Sequence, residues 1–219
     1  MIAENLINTS ITPLKYTDTV DRAIQWMEEF KVSHLPIVED FQFLGLANET
    51  YLLDQQNSPL KETNLEFRKV ACKSSDHIFD VIHTINQYEV STIAVLDDKE
   101  NYIGSITTLD LFNWISSHNA YKQTGGIIVL LMQQHNYSLS EISQIVESND
   151  AKILHASVMN DSIEPTKLKV ILKLNKQNLT RIISSFERYE YSIEATFTQG
   201  NIRNETQERL DNLLKYMDA

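Results

Sequence analysis

The chain has 219 residues, with 30 Asp and Glu against 19 Lys and Arg, a formal net charge of -11, 42% hydrophobic residues and one cysteine. That balance excludes a disordered chain, a disulfide framework and a phosphate-neutralising nucleic-acid surface, and the length suits one large domain or two small ones. The longest apolar run, Ile127 to Met132, is far short of the roughly 18 residues a membrane span needs, and the start carries Glu4 without a basic leader, so a soluble, cytoplasmic protein that engages neither membrane nor nucleic acid is expected.

In chain order, Thr17-Asp18-Thr19 offers a cap for a helix whose inner face is Val20, Ala23, Ile24 and Met27. Strands follow at Leu35–Val38 and Phe43–Leu46, then a helix around Glu49 to Gln55. The same order returns. Ser75-Asp76 caps a helix with the face Ile78, Val81, Ile82 and Ile85, strands run over Thr92–Leu96 and Tyr102–Ile106, and a helix spans Thr108 to Ser117. A shift of 58 residues places Lys15 on Lys73, Asp18 on Asp76, Val32 on Val90 and Ser33 on Ser91. After one inserted residue, Gly45 falls on Gly104 and Leu52 on Leu111. The first half is therefore a tandem repeat of a short strand, a helix, two strands and a helix, and two units of this size are expected to pack their sheets together.

Gly125-Gly126 breaks the pattern. Beyond it come a strand at Ile127–Met132, a helix from Ser138 with a capping box to Glu141, and a strand from Lys152 to Met159. An alternating strand at Leu168–Leu174, a helix with the stripe Leu179, Ile182, Ile183 and Phe186, and a strand at Ser192–Thr198 complete the order. Strand, helix, strand, strand, helix, strand is the ferredoxin-like arrangement. In the tail, Leu210, Leu213, Leu214 and Met217 have the spacing of an amphipathic helix expected to cover its own domain or a sister subunit, the alternative being a helix that docks on a partner.

No catalytic chemistry announces itself. The five glycines, at 45, 104, 125, 126 and 200, spell neither a dinucleotide fingerprint nor a P-loop. No HExxH or nucleophile elbow occurs, no two histidines stand four apart, and Cys72 cannot build a metal cage alone. Neither an enzyme nor a metal site is expected.

The segments Ser33-His34-Leu35-Pro36-Ile37-Val38-Glu39 with Gly45, and Ser91-Thr92-Ile93-Ala94-Val95-Leu96-Asp97 with Gly104-Ser105-Ile106-Thr107-Thr108-Leu109-Asp110-Leu111, resemble a pair of cystathionine-beta-synthase (CBS) motifs, the regulatory module called a Bateman domain. The resemblance implies an α+β fold over residues 1–122, in repeats of about 1–58 and 59–122, without catalysis of its own. It also implies an adenosine-containing ligand (AMP, ADP, ATP or S-adenosylmethionine) in the cleft between the motifs, with no required cofactor.

Chemistry and resemblance agree at the second motif. A glycine on a strand admits close approach, a Thr at a helix start offers its hydroxyl and free N–H groups to a phosphate, and an Asp one turn on accepts two ribose hydroxyls. Thr107 and Asp110 match, with Gly104, Ala71 and Ile93 completing the implied ligand-binding set. The first motif departs, with Asn48 for the Thr and Tyr51 for the Asp, so its site is expected to be degenerate. Lys69, Lys73 and His34 are the nearest basic residues by position. Residues 125–200 resemble an ACT domain, a small regulatory fold, although the turn Gln133-Gln134-His135-Asn136-Tyr137 lacks the usual glycine, which makes pairing across a dimer the expected role. Residues 201–219 form the expected terminal helix. The whole is similar to stand-alone CBS-ACT proteins, some of acetoin-utilisation B type. That similarity implies a homodimeric regulator of an unidentified protein target, the alternative being a scaffold whose cleft binds nothing.

Overall fold

The computed structural model describes residues 1–55, 58–63, 66–198 and 201–204. They form two compact units, Met1–Ser116 and a second beginning at Ser117, both mixing helix with strand, so the class is α+β. In the first, α1 (Val20–Phe30), β1 (His34–Glu39), β2 (Gln42–Asn48) and α2 (Glu49–Leu52) make one repeat. The other consists of β3 (Ala71–Lys73), α3 (Ile78–Tyr88), β4 (Thr92–Leu96), β5 (Tyr102–Thr107) and α4 (Thr108–Ser117).

The duplication extends to the backbone. Lys31 and Glu89 end α1 and α3 in the left-handed conformation, and the antiparallel ladders β1–β2 and β4–β5 slip at Ile37/Val38 and Val95/Leu96. Asp18 and Asp76 each accept a hydrogen bond, of 2.8 Å, from the backbone N–H three residues earlier, at Lys15 and Lys73. Because Asp76 is used in that turn, α3 is capped by the ring Nδ1 of His77, which accepts the Phe79 N–H, rather than by Ser75-Asp76 as expected. The α1 cap is Thr19. The leading short strand forms only in the second copy, where β3 runs parallel to β4; in the first, Pro13 has no N–H to extend a ladder and Leu14 makes one bridge to Ile37.

One core is built around Leu14, Met27, Leu35 and Ile37 of the first repeat; the other, around Ile78, Val81, Ile93 and Ile106 of the second, also takes in Phe43 and Leu46 from β2 of the first. The copies meet where Ser91 Oγ accepts the N–H groups of Ser33 and His34 at 2.9 and 3.0 Å. Cys72 is buried, and burial followed by the charge of Asp76 pushes its thiol up to about 12, so it is an inert packing residue.

In the second unit, α5 (Asn119–Lys122) precedes β6 (Ile127–Gln133), α6 (Leu139–Glu147), β7 (Ile153–Asn160), β8 (Lys167–Leu174), α7 (Thr180–Arg188), β9 (Ser192–Thr198) and β10 (Asn201–Asn204). The antiparallel sheet has the order β10-β9-β6-β8-β7, and Ile128, Leu130, Val170 and Leu172 pack with Ile142, Ile182 and Phe186 of the helices. The unit starts before the break expected at Gly125 because α5 packs against β7, with the Tyr121 and His155 rings 6.2 Å apart. Residues 201–204 continue a hairpin with β9 where the terminal helix was expected to begin; the stripe Leu210, Leu213, Leu214 and Met217 lies outside the described residues. Among the described residues no helix is long and apolar enough to cross a membrane.

Candidate functional site

At the junction of β5 and α4, Thr107 and Asp110 hold each other. Thr107 Oγ1 accepts the Asp110 N–H at 3.1 Å, while Asp110 Oδ2 accepts the Thr107 N–H at 2.9 Å and the Thr107 hydroxyl at 2.6 Å. This is a reciprocal capping box, and it fixes the carboxylate one turn into the helix. Asn8 lies across its outer side, its Nδ2 donating to Oδ1 at 3.0 Å and to Oδ2 at 3.2 Å. The Asn8 amide is oriented by its own Oδ1, which accepts the Ser10 N–H at 3.0 Å, and its backbone N–H donates to Ser105 O at 2.8 Å. The preceding Ile7 rests on Gly104, where any Cβ would run into its Cγ2.

Of the residues expected to bind ligand, Thr107 and Asp110 are thus in direct contact, and Gly104 lies on the same strand under Ile7. Ala71 is half-buried on β3, in register with Ala94. Ile93, on β4, is 0% exposed and packs in the core of the second repeat, where its side chain offers no open surface.

The corresponding junction of the first repeat is finished differently. Asn48 Oδ1 accepts the Tyr51 N–H at 3.3 Å, which turns its Nδ2 towards His34 Nε2 at 2.8 Å. Tyr51, in the place of the carboxylate, is exposed. Here a cavity of about 220 Å³ opens, lined by His34, Asn48, Tyr51, Arg68 and Tyr88 among others. The Arg68 side chain makes no ion pair or hydrogen bond among the described residues. Glu66 and Glu89 also line the space, so its walls carry more negative than positive charge.

Arg68 and the cavity were missed from the sequence. The signal was weak because Phe67 packs on Gly45 as Ile7 packs on Gly104, a spacing of 60, whereas the helices repeat at 58.

Burial, and then the charge of Arg68, hold the His34 imidazole below its ordinary value of 6.5. The ring is held at both nitrogens: Nδ1 accepts the Ser91 N–H at 3.3 Å and lies 3.1 Å from Ser33 Oγ, and Nε2 lies 2.8 Å from Asn48 Nδ2. A neutral histidine favoured by folding stabilises the protein above the unfolded value, and that contribution is lost as pH falls through the lowered folded value. Urea unfolding from pH 7.5 to 5 should therefore show wild type losing stability below about pH 6.5 relative to His34→Gln. Parallel curves for the two proteins would remove this account of His34.

Residues 66–117 match the CBS domain family model, so the chain carries a CBS domain there. A homoserine O-acetyltransferase of Methanobrevibacter ruminantium is 26% identical over 120 residues, 53% of this chain, and the match spans only 24% of that longer protein. A CBS domain pair/ACT domain protein of Thermotoga maritima superposes with a TM-score of 0.46 at 15% identity, covering 52% of this chain and 96% of the other. The protein CBSX2 in complex with AMP gives 0.45 at 16%, covering 52% and 95%. A CBS domain pair in complex with 5-methylthioadenosine and S-adenosyl-L-methionine gives 0.44 at 18%, covering 53% and 96%. Among the described residues no group of three or more His, Cys, Asp or Glu could hold a metal ion.

Proposed function

We propose that this chain is a non-catalytic regulatory sensor that binds an adenosine-containing ligand (AMP, ADP, ATP or S-adenosylmethionine) at the second repeat, with Asp110 receiving the ribose hydroxyls and Thr107 beside the phosphate or its equivalent. One observation carries this reading: both oxygens of Asp110 face the same way and accept hydrogen bonds from a single small donor group, the Asn8 amide, as they would from a cis-diol. The CBS match over 66–117 supports the site, since it includes both residues. The bound state would act by favouring one arrangement of the repeats over another, which requires different ligand affinities in the two.

The second unit is read as a ferredoxin-like, ACT-like domain. Its strand order β9-β6-β8-β7, with two helices on one face, supports that reading, and its role would be assembly of a homodimer that addresses a protein target. A cytoplasmic setting suits the single, buried thiol.

The test is thermal unfolding and calorimetry with those four ligands. A ligand at 100 times its dissociation constant should stabilise the protein by about 2.7 kcal/mol. Asp110→Ala should weaken binding by roughly 100-fold or more, since two hydrogen bonds to a charged acceptor are lost. Unchanged affinity in that variant would remove Asp110 from the site. The rival reading, a ligand-free scaffold, is favoured by one observation: α4 leaves Leu109 and Phe112, one turn apart, 59% and 66% exposed. No response to any of the four ligands, from folded protein that sediments as a dimer, would select it.

A further inference from the structure

We propose that residues 7–10 form a latch that closes the second repeat's site, with Asn8 as an internal competitor for Asp110. The identity of the competing ligand rests on the adenosine reading above; the latch itself does not.

The carboxylate of Asp110 is nearly saturated. Oδ2 accepts from the Thr107 N–H, the Thr107 hydroxyl and Asn8, and Oδ1 accepts from Asn8. A carboxylate offers about four acceptor positions, so an incoming pair of hydroxyls must take those that Asn8 occupies. The same segment covers the second feature of the site, because Ile7 lies on Gly104 and blocks close approach there. The first repeat provides an internal comparison. Its junction has Tyr51 where Asp110 would stand, the Arg68 side chain makes no polar contact among the described residues although its backbone oxygen accepts the Leu46 N–H, and a cavity stands open.

The latch is tethered at both ends. Ala3 and Glu4 donate their N–H groups to Asp76 O and Ser74 O at 2.9 and 3.0 Å, and Ile11 and Leu14 are buried in the core of the first repeat. Opening is therefore a local swing of residues 7–10, not a peeling of the terminus. Because its anchors lie in different repeats, a swing driven by ligand also changes what connects them. Ligand binding and the joint between the repeats are coupled through Asn8.

Two measurements on the full chain test this. Hydrogen exchange without ligand should show the Asn8 and Ser10 amides exchanging about tenfold faster in Asp110→Ala than in wild type, with Ala3 and Glu4 unchanged. Retained protection along α4 confirms that the variant is folded, and unchanged exchange at Asn8 and Ser10 overturns the latch. Calorimetry with adenosine and AMP should show about tenfold tighter binding to Asn8→Ala than to wild type, as a competitor is removed. Equal or weaker binding, with the variant folded, overturns the competitor role. Failure of both proteins to bind any adenosine compound would instead sink the adenosine reading, and the exchange experiment then decides the latch alone.

Discussion

Ile93→Ala is expected to lower the free energy of unfolding by about 2–5 kcal/mol and to leave ligand affinity unchanged in the protein that remains folded. The side chain is 0% exposed and packs with Ile78, Val81 and Ile106 at the centre of the second repeat, so truncation removes transfer free energy and leaves a cavity that neighbours fill only in part. Denaturant titration measures the first quantity and calorimetry the second. A small stability loss with a large affinity loss would keep Ile93 in the ligand-binding set and contradict its enclosure in the core of the second repeat.

The second large effect is expected at Gly45. An alanine Cβ there would lie 2.6 Å from both the Cβ and the backbone oxygen of Phe67, and the glycine has a φ of +150°. Phe67 cannot yield easily, because its neighbour Arg68 is held through the bond from the Leu46 N–H to Arg68 O at 2.9 Å. Strain and overpacking together should cost about 2–4 kcal/mol. Gly104→Ala meets the Ile7 side chain instead, which can move, and its cost should be smaller, about 1–2 kcal/mol. Equal losses in the two variants, measured by urea unfolding, would show that the segments over the two glycines are equally yielding.

The fold was legible where periodicity and repetition spoke together. The faces Val20, Ala23, Met27 and Ile78, Val81, Ile85 are buried, and the glycines found by self-alignment are both points of close approach. The Thr107–Asp110 pairing follows from their spacing of three at a strand-to-helix junction. What sequence could not provide was anything carried by long separations. Asn8 reaches Asp110 across 102 residues, and no local pattern marks it. Arg68 was hidden for a related reason, since the stretch between the covering segment and the helix is two residues longer in the first copy, which breaks the register that exposed the rest. Ile93 was assigned to the ligand by resemblance, while its strand, Thr92–Leu96, is an almost unbroken apolar run of the kind buried on both faces.

The packing of α5 on β7 determines where the chain can be cut. Strand β7 is the outer strand of its sheet among the described residues, eight residues long and without proline, with Val158 and Met159 43% and 56% exposed. An outer strand of that kind is a template on which another chain can add. A fragment starting at Gly125, the break visible in the sequence, discards Tyr121 and the buried Ala120 along with the rest of α5, and so strips β7 of a neighbour it has in the intact chain. A fragment starting at Ser117 keeps that helix. Solubility of the isolated second half is therefore expected to depend on residues 117–124, most of which the sequence reading assigns to the first domain.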